Sequence, residues 1–283
     1  LSSGVMHHRL VDRITALNDV PREPLVPRRL GKNMCVPFGK ILRGKVVPNT
    51  VTKTLHTDKV YEPDLNSFTI EPFPYYSPLK SQIETIKSFD RPVILVDDLV
   101  HTANRLQVLV PQLREDGIPI KKVVVGVLSG YGRDLMQCLK VPVESIYSMP
   151  NLRQWFVEST LYPFIGGDTV RREEMKVAGL QPSINMILPY ATPRLSGCSR
   201  EALVEFSACC IENSRDLFQV LEAEYRKMYA KNLTLSRLSE AVILPLCPDK
   251  GSCMEYDENL AASVYLENDL ETLWRMKEFL IKG

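Results

Sequence analysis

Residues 91–106 read RPVILVDDLVHTANRL, and this stretch decides the fold. Four apolar residues, 93–96, run directly into two adjacent carboxylates, Asp97 and Asp98, and a short polar loop then leads into a helical pattern. An apolar run of this length, bounded by Pro92 and the acids, is typical of a buried parallel strand. Open α/β sheets bind ligands at the carboxyl ends of such strands. The acids suit hydroxyl groups or a metal ion, and the loop amides suit an anion.

The segments that surround this strand alternate between helical and strand patterns. Helical spacing over Leu79–Phe89 precedes it, and a second helical pattern follows it and ends at Gly117. Lys121–Leu128 predicts another buried strand, a glycine-bearing turn leads into a helix over residues 129–139, and Val141–Tyr147 predicts a third strand. This order predicts an α/β fold with a doubly wound parallel sheet.

The outer regions differ in character and suggest three segments, 1–30, 31–190 and 191–283. In the first, Leu10–Leu17 has helical spacing and prolines follow, which predicts a solvated leading helix and a Pro-rich connector. In the second, β-type residues predict a strand or ribbon over 40–47 and 50–60, with a loop over 61–78.

The last segment, 191–283, is expected to be mainly helical. Ser199 is the expected N-cap of a long helix, another helix is expected within 233–246, and a terminal one over 270–280. The aromatic run Tyr162–Asp168, which precedes this segment, could stack on a base or dock the C-terminal helices.

Composition is that of an ordinary soluble globular protein. Its 283 residues are 45% hydrophobic, and 35 basic against 34 acidic residues give a net charge of +1, which argues against a basic nucleic-acid surface. No apolar run approaches the ~20 residues that span a bilayer, and no secretory signal is visible. The seven cysteines lack a Cys-x-x-Cys pair, so we expect reduced thiols and a cytoplasmic protein. Leu1 in place of an initiator Met is compatible with a piece of a longer polypeptide.

Three other kinds of site lack a residue that they require. A phosphatase of the haloacid dehalogenase type needs a second Asp where Leu99 stands. A phospho-receiver domain needs an Asp four residues before its Met-Pro turn, where Ile146 stands. The segment Asp249–Ser252 lacks the glycine-rich loop of a nucleotide-binding P-loop.

Residues 93–102 resemble, in register, the phosphoribosyl pyrophosphate (PRPP) signature of the type I phosphoribosyltransferases. That signature has four apolar residues, two acids, two apolar residues, a variable residue and Thr. The next positions differ, because Ala103 stands where glycine is usual and Arg105 where Thr is usual. If the loop needs a positive φ at Ala103, the Cβ costs about 1 kcal/mol or more. Arg105 could bind a phosphate or fill the pocket.

The resemblance implies a site with defined roles. Asp97 and Asp98 would bind the ribose 2- and 3-hydroxyls, directly or through Mg²⁺, and would favour the positive charge of an oxocarbenium-like transition state. The loop amides would hold the 5-phosphate, with the Thr102 hydroxyl donating. A pyrophosphate loop is expected at residues 43–45 and a mobile hood within 53–59. The implied binding residues are His101, Thr102, Ala103, Asn104, Arg105, Arg43 and Lys45.

Two functions follow from the resemblance. One is a glycosyltransferase that binds PRPP with Mg²⁺ and transfers its phosphoribosyl group to a base. The other is a non-catalytic regulatory or accessory domain of a larger nucleotide-metabolism protein, since the layout is also similar to the C-terminal region of bacterial cytidylyltransferase-related proteins. Either way the expected partner is a phosphorylated ribose or nucleotide, with no membrane or nucleic acid, and a homodimer is a compatible assembly. Asp97-Asp98 could also be an acidic strand end bonded to neighbouring loops.

Overall fold

The structure is a computed structural model that describes residues 2–27, 29–42, 44–172, 179–193, 197–242, 245–250 and 255–282. The chain forms two compact units. The first unit comprises Leu1–Asp58 and Ile70–Arg153, and the second comprises Lys59–Thr69 and Gln154–Gly283. These bounds differ from those of the three predicted segments, and residues 1–30 lie within the first unit.

Four strands follow the first helix, and helices and strands then alternate over residues 79–149. Short 3₁₀ helices also occur at Glu158–Thr160 and Leu235–Arg237. The described elements are α1 (Ser3–Leu17), β1 (Met34–Pro37), β2 (Val51–Thr52), β3 (Thr57–Tyr61), β4 (Phe68–Pro72), α2 (Leu79–Lys87), β5 (Val93–Val100), α3 (Asn104–Glu115), β6 (Ile120–Ser129), α4 (Gly130–Cys138), β7 (Val143–Met149), β8 (Asp168–Val170), β9 (Gln181–Ile184), α5 (Arg200–Tyr229), α6 (Leu238–Ala241), β10 (Leu246–Pro248) and α7 (Ala262–Lys282).

The first unit contains a doubly wound parallel sheet, as the sequence predicts. Its strand order is β2-β1-β5-β6-β7, and each pairing in it is parallel. The order reverses between β1 and β5, which are neighbours although four elements separate them in the chain. Such a reversal opens a crevice beyond the carboxyl ends of the two strands, where α/β proteins bind ligands.

Helices cover both faces of this sheet. On one face, Leu10 of α1 packs in a cluster with Ile94 of β5. On the other face, Leu106 of α3 packs in a cluster with Leu95. The expectation that α1 is solvated is therefore wrong, because Leu10 and Ile14 are 0% exposed. Their helical spacing forms an apolar stripe on α1, and this stripe packs against the sheet.

Two strand assignments made from composition are wrong. Residues 40–42 and 44–47 form no strand, and their apolar residues Leu42 and Val47 are buried as loop residues in the α1 cluster. The expected loop over 61–78 contains β4. β1 was not predicted, although it lies beside the central strand.

The second unit combines a mixed sheet with helices. The sheet order is β10-β9-β8-β3-β4, with β3–β8 and β9–β10 parallel and β8–β9 antiparallel. Ser199 caps α5 as predicted, since its side chain accepts from the Ala202 N–H. The helix expected within 233–246 is reduced to one 3₁₀ turn and α6, and β10 begins at Leu246.

The aromatic run Tyr162–Asp168 docks the C-terminal helices. Phe164 is 0% exposed and packs edge-on against Phe218 of α5, with ring centroids 6.1 Å apart. Of the two alternatives that the sequence left open, Phe164 follows the second, because its buried ring packs on a C-terminal helix and is unavailable for stacking on a base. In the described ranges, none of the helices is long and apolar enough to cross a bilayer.

Candidate functional site

The acid pair lies inside β5 and not beyond its end, because the strand continues to Val100. Asp97 is 6% exposed and Asp98 is half-buried. Asp97 Oδ1 accepts from the Asp98 N–H at 2.8 Å, and Asp98 Oδ1 accepts from the Leu99 N–H at 3.1 Å. Asp98 is thus the carboxylate that a ligand can reach more readily.

The direction of the side chains changes across the two acids. Val96 packs in the α1 cluster whereas Val100 packs in the α3 cluster, although residues four apart in a regular strand share a face. This change lets two consecutive carboxyls face one another instead of pointing to opposite sides of the sheet.

The environment of Asp97 favours its protonated form. Burial raises the pKa of Asp97 well above its usual range, and the hydrogen bond with the Asp98 side chain and the Asp98 charge raise it further. The Arg105 charge and the backbone hydrogen bond from Asp98 oppose this in part. A cation bound at the acids would oppose this shift, because it would favour the charged form of Asp97.

Asp97→Asn is expected to stabilise the first unit at neutral and alkaline pH, because an amide keeps both hydrogen bonds without a proton to hold. The wild-type Asp97 carboxyl has a raised pKa in the folded state. The stability of the wild-type unit therefore falls as pH rises above the pKa of about 3.9 that Asp has in the unfolded chain. The advantage of the variant is absent below that pH and exceeds about 0.5 kcal/mol at pH 8. Hydrogen exchange of β5 at pH 5 and pH 8 measures it, and an equal gain at both values contradicts the assignment.

Gly39 closes over Asp97 from the loop that follows β1. A Cβ at Gly39 would lie 1.9 Å from Asp97 Oδ1 and 3.1 Å from the Asp97 Cα. The loop is held there because the Phe38 N–H donates to the Val96 carbonyl at 3.0 Å. Glycine at position 39 therefore permits the loop after β1 to approach β5 closely at the β1/β5 reversal.

The loop after β5 adopts the left-handed conformation that the resemblance implies for a glycine. Ala103 has φ 51° and ψ 19°, and it is the N-cap of α3 without a side-chain cap. Its methyl group packs in the α3 cluster, which offsets part of the ~1 kcal/mol cost of this conformation. The first N–H groups of α3 have no partner within the helix, so their positive dipole end faces the loop.

The polar residues of the loop bond to one another and to the next strand. Thr102 Oγ1 accepts from Asn104 Nδ2 at 3.0 Å. His101 Nδ1 lies 2.8 Å from Ser129 Oγ, which also caps α4 by accepting from the Gly132 N–H. The loop is thus anchored to the carboxyl end of β6, with the Thr102 side chain at the surface.

A cleft opens at the β1/β5 reversal within the first unit. Its volume is about 360 Å³ when the open solvent at its mouth is included. Arg105 lines this cleft, while Asp97, Asp98 and Thr102 do not. Ten residues line it: Phe38, Gly39, Lys40, Thr54, Leu55, His56, Thr57, Asp58, Phe73 and Arg105.

Of the residues predicted for a pyrophosphate loop, Gly44 and Lys45 do not line this cleft. Lys45 is exposed and its charge acts on His7 of α1, and Arg43 lies outside the described residues. Sequence reasoning missed Gly39 and Lys40 as lining residues, whereas Thr57 and the other lining residues of 54–58 fall within the expected hood. The local sequence feature that could have pointed to this loop was Gly39, which directly follows an apolar run that ends at Phe38.

The acid pair is the nearest approach to a metal site. No group of three His, Cys, Asp or Glu side chains that could hold a metal ion occurs in the described parts of the chain. Two carboxylates are nevertheless a donor set that fits Mg²⁺, which keeps several waters and takes further oxygens from a substrate phosphate. Asp97 and Asp98 would be its protein ligands.

Comparisons with known proteins give little support to any family. No family model matches the sequence, and no curated protein matches it. One solved structure that matches is a purine phosphoribosyltransferase from Pyrococcus horikoshii Ot3, at 13% identity over 54% of this chain and 91% of that chain, with a TM-score of 0.30. Similarity at this level does not identify the family.

Proposed function

We propose that the first unit binds a phosphorylated ribose, such as PRPP, together with Mg²⁺ at the carboxyl end of β5. The observation that carries this proposal is the combination of an acid pair with an uncapped helix N-terminus only a few residues further on. The two features match the two ends of a ribose 5-phosphate, which has hydroxyls on one side and a dianion on the other.

The phosphate would lie at the start of α3. The N–H groups of Asn104, Arg105 and Leu106 are the donors that the helix leaves unpaired, and the left-handed turn at Ala103 leads into them. The Thr102 hydroxyl is exposed beside them. Arg105 would add a charge-assisted contact, which is about twice as strong as a neutral hydrogen bond.

The ribose hydroxyls would lie at the acids. Asp98 would accept from them, and a bound cation would favour the charged form of Asp97, which would then join as a second acceptor. Mg²⁺, when bound, would neutralise charge on the pyrophosphate group. Two carboxylates beside the ribose would favour the positive charge that develops at C1 as pyrophosphate leaves, which is the step needed to transfer the phosphoribosyl group to a base.

A non-catalytic binding domain is the second candidate function. It is favoured by the burial of Asp97 beneath Gly39, which leaves Asp98 as the more accessible carboxylate. A site with one accessible acid could retain the ligand while losing the stabilisation of the transition state.

Asp98→Asn is expected to weaken PRPP binding in the presence of Mg²⁺ by about tenfold or more, because it removes the accessible charge that faces the hydroxyls and the metal. Titration calorimetry on wild type and variant measures this. Asp134→Asn is the matched control, since Asp134 is an exposed carboxylate of the same unit on α4, and its affinity should equal that of wild type.

Two results separate the candidates. Failure of the wild type to bind PRPP with Mg²⁺ would rule out the ribose-phosphate site altogether. If binding holds, release of pyrophosphate in the presence of candidate bases supports the transferase, and binding without release supports the non-catalytic domain.

A further inference from the structure

The turn between β6 and α4 packs closely against the end of β5. A Cβ at Gly132, in the first turn of α4, would lie 2.3 Å from the Val100 carbonyl oxygen, so a side chain there would force the two segments apart. The turn also carries Ser129, which is 1% exposed, and Tyr131, whose ring meets that of His101 edge-on at 5.9 Å between centroids. The first side chain of the loop after β5 therefore rests on the residues that begin α4.

A single hydroxyl joins these two segments. Ser129 Oγ accepts from the Gly132 N–H at 2.9 Å and lies 2.8 Å from His101 Nδ1. An N–H can only donate, so the bond from Gly132 uses an oxygen lone pair and leaves the hydroxyl proton to be placed elsewhere. Among the contacts that Ser129 Oγ makes with the described residues, the one to His101 Nδ1 can accept this proton.

These two bonds decide which nitrogen of His101 carries the ring proton. A neutral imidazole has one N–H donor and one acceptor nitrogen, and the bonds that the ring makes determine which is which. If Nδ1 carried the proton, it would donate to Ser129 Oγ, and the buried hydroxyl would keep a proton without an acceptor. That penalty corresponds to about fivefold or more in population, so Nδ1 accepts and Nε2 carries the proton.

The second nitrogen of the His101 ring is available to a ligand. His101 is half-buried, and its Nε2 bonds to none of the residues that the structure describes. Nε2 is separated from Nδ1 by one ring carbon, so the bond that anchors Nδ1 also fixes the direction of the Nε2–H. His101 begins the loop that leads to the N-terminus of α3, where the phosphate is proposed to lie.

We propose that Ser129 is a positioning residue that holds the imidazole of His101 in its Nε2–H form, so that the ring presents one donor to a ligand oxygen at the loop after β5. The identity of the ligand rests on the proposed function, in which a phosphorylated ribose binds at this loop, whereas the place of the ring proton does not depend on it. Ser129 acts through His101 and does not touch the ligand.

The proton on His101 can be located by nuclear magnetic resonance on the full chain without any ligand. Two-bond nitrogen–proton couplings of ¹⁵N-labelled histidines distinguish the two forms at about pH 8, where an ordinary imidazole is neutral. The Nε2–H form of His101 should exceed the Nδ1–H form by about fivefold or more. His8 is an internal comparison that should favour Nδ1–H, because its Nδ1 lies 2.8 Å from the Gly4 carbonyl, which can only accept.

Loss of the Ser129 hydroxyl should remove this preference. Ser129→Ala is expected to lower the ratio of the Nε2–H form to the Nδ1–H form at His101 by about fivefold or more. Ser199→Ala is the matched control, because Ser199 also caps a helix through its hydroxyl but bonds to the Ala202 N–H and lies in the second unit. It should leave the ratio at His101 unchanged.

The donor role of His101 is tested by PRPP binding in the presence of Mg²⁺, measured by calorimetry. His101→Asn should weaken binding by about tenfold, because its shorter amide places no donor at the position of Nε2. His101→Gln carries an amide nitrogen near that position and should recover most of the loss. Ser129→Ala should weaken binding by about threefold or more, and Ser199→Ala should bind as wild type.

Three results would overturn the inference. These are a predominant Nδ1–H form of His101 in the wild type, an unchanged ratio in Ser129→Ala, and equal affinity of wild type and His101→Asn for PRPP. The first result needs no variant, so it decides the place of the proton even if Ser129→Ala does not fold. Failure of the wild type to bind PRPP would refute the proposed function together with the ligand contact, while the resonance measurement would still decide the role of Ser129.

Discussion

Lys250→Met is expected to destabilise the second unit by about 3–5 kcal/mol, which is the cost of removing one member of a buried ion pair. Lys250 Nζ lies 3.0 Å from Asp269 Oδ1, and the two side chains are only 12% and 8% exposed. The other Asp269 oxygen accepts from the Tyr190 hydroxyl. Without Lys250, the buried negative charge of Asp269 is no longer paired with a cation, and the neutral Tyr190 hydroxyl still donates to it.

The aromatic rings around Lys250 increase this loss. Its ammonium lies 5.3 Å from the Tyr256 ring centroid and 5.1 Å from that of Tyr265, so a cation–π attraction disappears as well. Urea unfolding followed by tryptophan fluorescence measures the effect. Both tryptophans, Trp155 and Trp274, belong to the second unit, so the signal reports on that unit alone.

A surface pair of the same length provides the control. Lys277 Nζ lies 2.9 Å from Glu205 Oε1, but the glutamate side chain is 62% exposed, so Lys277→Met should cost less than about 1 kcal/mol. Adding Asp269→Asn to Lys250→Met should recover more than half of the loss, because it removes the stranded charge and keeps the Tyr190 bond. Equal losses at the two lysines would contradict the role given to burial.

The sequence predicts those helices and strands whose pattern lies within one continuous segment of the chain. An apolar strand, a helical stripe and a closing glycine follow one another from Val93 onward, and Gly117 does end its helix with φ 72°. By contrast, Met34–Pro37 is short and ends in proline, so its pairing with Val51–Thr52 and Val93–Val96, and not a local pattern, makes it a strand. Within residues 40–47, Leu42 and Val47 are buried in the α1 cluster without a described strand pairing.

The same distinction between local and distant residues applies to the candidate site. Asp97, Asp98 and the loop at 101–105 are consecutive, so a pattern over one segment can point to them. The cleft is assembled from four separate stretches of chain, and Thr57 and Phe73 have no local signature. The strand order that brings the loop after β1 to the loop after β5 depends on pairings across more than fifty residues, which a single sequence does not display.

Gly39→Ala is expected to destabilise the first unit by about 1–3 kcal/mol and to weaken ligand binding at the acids. The added Cβ would lie 1.9 Å from Asp97 Oδ1, and this oxygen is buried and already bonded to the Asp98 N–H. Either the carboxyl gives up that bond or the loop after β1 moves outward. Hydrogen exchange of β1 and β5 measures the stability, since the unit has no tryptophan.

A double-mutant cycle identifies the contact as the cause. Asp97→Ala removes Oδ1 and Cγ, so adding Gly39→Ala to it should cost much less than in wild type, with a residual cost because the Asp97 Cα is 3.1 Å from the new Cβ. Gly4→Ala is the control, since its Cβ would meet nothing closer than 3.7 Å and a helical Gly→Ala change gains roughly 0.5–1 kcal/mol. If the two costs of Gly39→Ala are equal, the loop and the acid pair are independent. The burial of Asp97 would then not depend on the approach of Gly39. Gly39→Ala would also not be expected to weaken ligand binding at the acids.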